Sequence, residues 1–361
     1  MCGLATFTGN VRDALKASNA DWDVRVVRVL DHPEPVPAAE VVAQWVPGDR
    51  TSLDRARDAL ASSDIVVVQH EYGLFGPDDG IAVLDLVDEM RPPLVVVLHT
   101  ALLEPSPRQR RILDHLIGAA AAVIVQSDAA RRHLAAIYGS ELSRVVVVPH
   151  GAAENFAGPV LEDVPHPAVL SWGLLSPGKG IEHGIAAVAR LGRRRPPPTF
   201  VVAGQTHPKV LAAHGEVYRD SLVRLARDLG AADRVRFDDS YRDWTSLRAL
   251  VRSADVVLLA YDSREQVSSG VLAEALASGK PVVATRFPHA VELLGGGAGI
   301  LVDQGDVVGM SEAIDRVLYQ PAVARAMATA ARRAAIPLLW PAVGLRYRTV
   351  LEGALAARAI T

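Results

Sequence analysis

Residues 261–285 read YDSREQVSSGVLAEALASGKPVVAT and decide the fold. They follow an apolar run at 256–259. A polar loop holding Ser268, Ser269 and Gly270 leads into a helical stretch, GVLAEALAS. Gly279 sits where a helix ends in a left-handed residue, and Lys280-Pro281 opens a second apolar run at 281–284. Strand, helix and strand in this order form a parallel crossover unit. Small residues at the helix start expose backbone N–H groups at the positive end of the helix dipole, which suits a phosphate. Glu274 lies one turn further in, where a carboxylate can accept bonds from vicinal ribose hydroxyls. The plainer alternative is a serine-capped helix between two strands, with no ligand.

The same grammar extends outward. Short Val-rich runs recur at 65–68, 94–98, 122–125, 145–148, 168–171, 200–203 and 235–237. They are apolar on both faces, as strands of a helix-covered parallel sheet are. Helical patterns separate them, among them 53–62, 107–119 and 221–229. The expected fold is therefore α/β: two Rossmann-like doubly wound parallel-sheet domains facing a cleft. The segment 151–167, GAAENFAGPVLEDVPHP, lacks periodicity and reads as a linker. The expected domains are 1–160 on the acceptor side, 161–338 for the nucleotide sugar, and a segment 339–361 that returns to the first domain. Ligands in such sheets sit beyond the carboxyl ends of strands, so functional residues should follow strands.

Composition narrows the function. The chain has 361 residues, half of them hydrophobic, with a formal net charge of −3. No general attraction to nucleic acid follows from that balance. The single cysteine, Cys2, excludes an internal disulfide and any multi-cysteine metal site, and fits a reducing cytosol. No secretory signal is expected, because MCGLATFTGNVRD lacks a basic start and an apolar stretch. The most apolar run, 117–125, falls short of the roughly 20 residues of a membrane span. No cluster with metal-ligand spacing stands out, so no metal or other cofactor is expected.

A second constellation, SWGLLSPGKGIE at 171–182, follows the first strand of the second half. Gly173, Pro177, Gly178 and Gly180 shape a tight loop that presents Lys179, a point charge suited to a diphosphate. A solvated lysine on a turn is the plainer alternative. In the first half, two strands end in histidine: QHEYGLFG at 69–76 carries His70 and Glu71, and LHTALLEPSP at 98–107 carries His99. The plainer alternative for each is a structural histidine bonded to a neighbouring loop.

These segments resemble the retaining GT-B glycosyltransferases of family 4, the group 1 glycosyl transferases. Glu274-Ala275-Leu276-Ala277-Ser278-Gly279-Lys280-Pro281-Val282-Val283-Ala284 is similar to the second half of that family's donor motif, E-x-F-G-x-x-x-x-E-A-x-A-x-G-x-P-V-V-A. The motif's first glutamate falls on Gln266, with Glu265 beside it. The 171–182 loop resembles the family's G-R-L-x-x-x-K-G, with Lys179 at the lysine and Leu174 at the arginine. Arg264 is a candidate to restore that charge. His99 resembles the histidine that approaches the donor sugar. Residues 123–127, 147–151 and Trp340-Pro341-Ala342-Val343 with Tyr347 extend the similarity over nearly the whole chain. CGLATFTGNVRDAL resembles the family's opening Gly-rich loop and helix without the usual strand before it, which suggests a start further upstream or a missing first strand.

The resemblance implies transfer of a hexosyl group from a nucleoside diphosphate sugar, of GDP-mannose or UDP-glucose type, to a hydroxyl acceptor with retention. The catalytic candidates are His99, Gln266 and Glu265. Gly173, Lys179, Ser268, Ser269, Gly270 and Val271 would hold the diphosphate, and Glu274 the ribose. Gly3, His70 and Glu71 would lie on the acceptor side. Domain closure would exclude water. Partners would be the nucleotide-sugar donor and a sugar, glycan or lipid acceptor, without nucleic acid. The arginines at 108–111 and 131–132 allow peripheral contact with the inner membrane face of a cytoplasmic protein. Other readings are a non-catalytic sugar-nucleotide binder, another GT-B enzyme such as an epimerase or phosphorylase, and a class II glutamine amidotransferase using Cys2.

Overall fold

The computed structural model describes residues 3–35, 39–139, 142–240, 242–263 and 266–358. The chain forms two compact units, 1–151 with 340–361, and 152–339. The strands that the sequence announces are present in both, and every described strand pair is parallel.

In the first unit, α1 (Gly3–Ser18) precedes β1 (Val26–Val29) and β2 (Val41–Trp45), a two-stranded sheet that the sequence reading missed. Both strands are short and mostly half-buried, so they lack the fully apolar signature of the others. Next come α2 (Arg50–Ala61), β3 (Val66–His70), α3 (Val83–Asp88), β4 (Leu94–Leu98), α4 (Pro107–Ala119), β5 (Ala122–Val125), α5 (Asp128–Tyr138) and β6 (Val145–Val147). Helix α4 begins and ends where expected. Ser106 and Gln109 form a reciprocal capping box and Pro107 opens the first turn. Strands β3-β4-β5-β6 lie side by side in sequence order, with no reversal among the described strands of this sheet.

The expected Gly-rich loop at the start is a helix instead. Phe7, Val11, Ala14 and Leu15 recur at helical spacing and are buried, which overrides any loop character. They pack with Val95, Val97 and Ile124 of the sheet and with Val343, Tyr347 and Leu351 of the C-terminal helix Trp340–Arg358. Gly344 permits the close approach, since a Cβ there would lie 2.7 Å from the Ala14 carbonyl oxygen.

The second unit carries β7 (Ala168–Trp172), α6 (Ile181–Arg190), β8 (Thr199–Ala203), α7 (Pro208–His214), α8 (Val217–Asp228), β9 (Val235–Asp238), α9 (Trp244–Ser253) and β10 (Val256–Leu259). It continues with α10 (Gly270–Ala277), β11 (Val282–Thr285), α11 (Pro288–Leu294), β12 (Gly299–Val302), α12 (Val307–Tyr319) and α13 (Pro321–Ala335). The strand order is β12-β11-β10-β7-β8-β9, which reverses between β10 and β7. Alternate residues of β10 serve opposite cores: Val256 and Leu258 pack with Phe200 and Ile314, Val257 and Leu259 with Leu272 and Phe287. Truncating Phe200 or Leu276 to alanine should cost about 2–5 kcal/mol.

The boundary falls at 151/152 rather than 160/161. The supposed linker is built into the second unit. Asn155 is buried and its amide donates to the Arg248 carbonyl at 3.2 Å and to Ser278 Oγ at 2.9 Å. Leu161 N–H donates to Ser253 Oγ at 2.6 Å, and Val164 joins the core. Polar anchoring of this kind leaves no hydrophobic period to read. No helix among the described residues is long and apolar enough to cross a membrane.

Candidate active site

The reversal of strand order between β7 and β10 is where an open α/β sheet leaves a crevice for ligand. Two loops meet there, the ones singled out in the sequence. The loop after β7 turns through Gly173 and Gly178, both at positive φ, and ends on Gly180 at φ 65°. Gly180 is obligatory: a Cβ there would stand 1.7 Å from the Ala260 carbonyl oxygen. Asp262 N–H donates to the Gly178 carbonyl at 3.0 Å, which ties this loop to the one after β10. The direction in which a Cβ on Gly173 would point reaches Val271 Cγ2 at 3.8 Å, so the first turn of α10 faces the same space.

Lys179 is half-buried, with its ammonium 4.4 Å from the centre of the Tyr261 ring. Tyr261 is itself held against Phe287, with ring centres 4.9 Å apart. The aromatic face partly balances the charge and fixes its place, and no carboxylate among the described residues takes one of its three donors. A small pocket lies here, lined by Trp172, Gly173, Leu174, Lys179 and Tyr261 among others. Leu174, in the arginine position of the family loop, is 40% exposed.

Helix α10 sorts the expected anion donors. Ser269 caps it, accepting from Leu272 N–H at 3.2 Å, and donates its own N–H to His289 Nδ1 at 2.9 Å. The Ser269 backbone N–H is thus committed inside the protein, which corrects its expected part in a row of N–H donors to the diphosphate, while its hydroxyl keeps an O–H to give. The Ser268 carbonyl accepts from the Gln266 side chain. Gly270 and Val271, the first two residues of the helix, carry N–H groups that have no intrahelical acceptor. Gln266, expected to meet the donor sugar, is held by Ser268 and by its own carbonyl, which accepts from His289 N–H at 3.4 Å. Glu265 and Arg264 lie outside the described residues. His289, buried on α11, was missed because a lone histidine next to a proline carries no motif.

Glu274 also occupies this site. Burial pushes its carboxyl up to about 7, against a hydrogen bond from Trp172 and the charge of Arg248. A carboxyl poised near neutrality and backed by an indole can accept from paired hydroxyls.

In the first unit, His99 is tied from both sides. Its Nε2 lies 2.8 Å from Gln69 Oε1 and its Nδ1 3.1 Å from Gln126 Nε2. With the Gln126 amide donating to Nδ1, the ring proton sits on Nε2 and goes to Gln69. Burial lowers the pKa to about 3, so the ring is neutral. It has no ring nitrogen left over for a sugar, however, unless one of these bonds opens. Phe7 sets its edge against His99 and also contacts His150, each at 4.9 Å between centres. His70 is fully buried with neither ring nitrogen bonded among the described residues, and burial lowers its pKa to about 4. Glu71 accepts from Thr100 Oγ1 at 2.8 Å and from Tyr72 N–H at 3.0 Å. Gly3 is the first residue of α1, and a Cβ there would meet nothing within 4 Å. Gly3 thus opens a helix rather than lying in a loop.

Glu182, His183 and Asp262 place one ligand atom each within 4.8 Å of one another, a grouping invisible in the sequence. Each already has a protein partner: Tyr218 Oη donates to Glu182 at 2.8 Å, and His183 Nε2 lies 3.3 Å from Asp262.

Comparison with known proteins agrees with this geometry. The sequence family described as Glycosyl transferases group 1 matches residues 152–334, and Glycosyltransferase Family 4 matches 2–155. The chain belongs to the group 1 glycosyl transferases. The two matches change over where the two compact units do. A GDP-mannose-dependent alpha-(1-6)-phosphatidylinositol monomannoside mannosyltransferase of Mycolicibacterium smegmatis is 33% identical, over 53% of this glycosyltransferase and 49% of the relative. A D-inositol 3-phosphate glycosyltransferase of Mycobacterium tuberculosis is 32% identical, over 76% and 58%. The chain spans about half the length of the curated relatives it matches. Among solved structures, sucrose-phosphate synthase from Thermosynechococcus elongatus aligns with TM-score 0.77 at 20% identity, covering 99% of this chain and 94% of that one. Anabaena HepE in complex with UDP-glucose aligns with TM-score 0.75 at 20% identity, covering 95% of each. These similarities establish the GT-B fold. They also set aside the amidotransferase alternative, whose cysteine lies outside the described residues and is followed at once by α1.

Proposed function

We propose that this glycosyltransferase moves a hexosyl group from a nucleoside diphosphate sugar to a hydroxyl acceptor, with retention at the anomeric carbon. One observation carries the proposal: at the strand-order reversal, a lysine with no carboxylate partner among the described residues shares its loop with Gly173, and a Cβ on Gly173 would come within 3.8 Å of Val271 in the first turn of α10, where two N–H groups lack an intrahelical acceptor. Such an arrangement stabilises negative charge that develops on a departing diphosphate. Lys179 and the N–H groups of Gly270 and Val271 take that role. Glu274 receives the ribose hydroxyls. Gln266 or Glu265 orients the sugar, joined by His99 once its bond to Gln69 or Gln126 opens, and His70 and Glu71 meet the acceptor. No step calls for a metal, since the lysine and the helix dipole already provide positive charge.

The names of relatives and fold neighbours suggest the donors to try. One relative is named as GDP-mannose-dependent, and one fold neighbour was solved with UDP-glucose. The acceptor classes are a sugar, a glycan or a lipid, reached by a cytoplasmic protein at the inner membrane face. The experiment is thermal unfolding with GDP, UDP, GDP-mannose and UDP-glucose, on wild type and Lys179→Ala. A ligand at a hundred times its Kd adds about 2.7 kcal/mol to stability. A shift with one nucleotide series, lost in Lys179→Ala, is the expected result. No shift with any of them would overturn the proposal. Binding without turnover across an acceptor panel would instead favour a non-catalytic binder, which the neutral Leu174 and Gln266 make the second reading.

A further inference from the structure

The loss of an arginine at Leu174 leaves the diphosphate with a single lysine from its loop. The strand next to that loop brings another donor. Beyond the end of β8, residues 205–207 run alongside 174–176: Leu175 N–H donates to the Gln205 carbonyl at 2.9 Å, and His207 N–H to the Leu175 carbonyl at 2.8 Å. Leu175 and Thr206 form a parallel bridge. His207 therefore sits one strand over from the loop that carries Lys179.

The ring of His207 is oriented by its own backbone. Its Nδ1 accepts from Lys209 N–H at 3.2 Å, capping the short helix α7. An acceptor Nδ1 requires the proton on Nε2, so the ring is a neutral imidazole that offers one N–H. The surrounding charges agree. Lys209 on α7 and Lys179 on the neighbouring loop both disfavour a cationic ring, after burial, the larger cause. From α8, Glu216 bonds Thr206 and Arg219, and Arg219 donates to the Gly204 carbonyl at 2.6 Å. One guanidinium nitrogen, Arg219 Nη1, stays buried with no acceptor among the described residues. Donors without acceptors thus accumulate beside this strand end, the pattern expected where an anionic ligand supplies the missing oxygens.

We propose that His207 is a donor-binding residue that gives its Nε2–H, as a neutral hydrogen bond, to a phosphate oxygen of the nucleotide held by Lys179. The inference rests on the nucleotide-sugar function proposed above and adds to it the residue that takes over part of the missing arginine's work. No proton is gained or lost at His207 on binding.

The test is calorimetric titration of UDP and GDP at pH 7.5, in two buffers of different ionisation enthalpy, on wild type, His207→Asn and His207→Gln. Asparagine keeps an oxygen near the Nδ1 position for Lys209 N–H, but falls short of the Nε2 position. Glutamine places an N–H there. His207→Asn should weaken nucleotide binding at least tenfold with its ligand-free melting temperature unchanged, and His207→Gln should stay within about threefold of wild type. Equal binding by wild type and His207→Asn overturns the inference and leaves the proposed function standing. Proton uptake on binding that disappears in His207→Asn overturns it as well, because the ring would then act as a cation. Failure of wild type to bind either nucleotide overturns the proposed function, and this inference with it.

Discussion

The two units treat the polar groups at their strand ends differently. In the first, His99 is closed off by Gln69 and Gln126, and His150 Nδ1 lies 2.9 Å from the Gly151 carbonyl. Burial keeps His70, His99 and His150 neutral, with pKa values lowered to about 4, 3 and 4. In the second, Lys179 rests on an aromatic ring and the N–H groups of Gly270 and Val271 have no helical acceptor. Polar groups that answer one another hold a fold together. Polar groups left with unused donors await a ligand. At the end of β3, His70 is buried with neither nitrogen bonded among the described residues, which makes it a candidate for contact with an acceptor.

The largest expected effect is on acid stability. The three histidines are lowered below their ordinary 6.5, so the unfolded chain binds protons that the folded one refuses. Their contribution is complete above pH 6.5 and is lost as pH falls toward 4. Between pH 6.5 and 5 the loss should reach up to about 2 kcal/mol per histidine. Urea unfolding followed across pH should show the first unit opening first. An acid midpoint unmoved by His150→Asn would break the contrast.

Next comes Lys179→Ala. Removing one preorganised partner of the leaving group should lower kcat/KM for the donor by about 10²–10³, with little change in unfolding midpoint. A variant that lost stability along with activity would make Lys179 a structural residue instead.

Glu274 sharpens the comparison because its sign is opposite. Its folded pKa is raised from 4.5 to about 7, so its contribution is present below 4.5 and lost as pH rises through 7. Glu274→Gln should therefore stabilise the ligand-free protein at pH 8, by about 1–3 kcal/mol, while weakening nucleotide binding. Destabilisation at pH 8 would show that the carboxylate is already satisfied within the protein.

The smallest effect should come from His70→Phe. Replacing an unbonded buried imidazole with a ring of similar shape should gain about 1 kcal/mol in melting experiments. If His70 meets the acceptor, turnover should fall while nucleotide binding stays as it was.

Much of this was legible in residues alone. The Val-rich strands, the capped helix α4 and the 261–285 crossover follow from local periodicity and turn chemistry, which need no distant partner. The Lys179 loop and Glu274 were found because glycines and a short motif mark them in sequence. What stayed hidden depends on contacts between residues far apart in the chain. The first turns of α1 read as a loop ahead of a helix, because only the sheet and the C-terminal helix give Phe7 something to pack against. Residues 151–167 read as a linker, because Asn155 is anchored by the Arg248 carbonyl and the Ser278 hydroxyl rather than by apolar periodicity. The sequence by itself determined the Val-rich strands of the two larger sheets and the helix that follows the 261–269 loop. Tertiary structure decided which donors remain unused: Ser269 N–H is spent on His289 and the His99 ring on two glutamines, and hydrogen bonds between residues tens of positions apart leave no periodic mark on a chain.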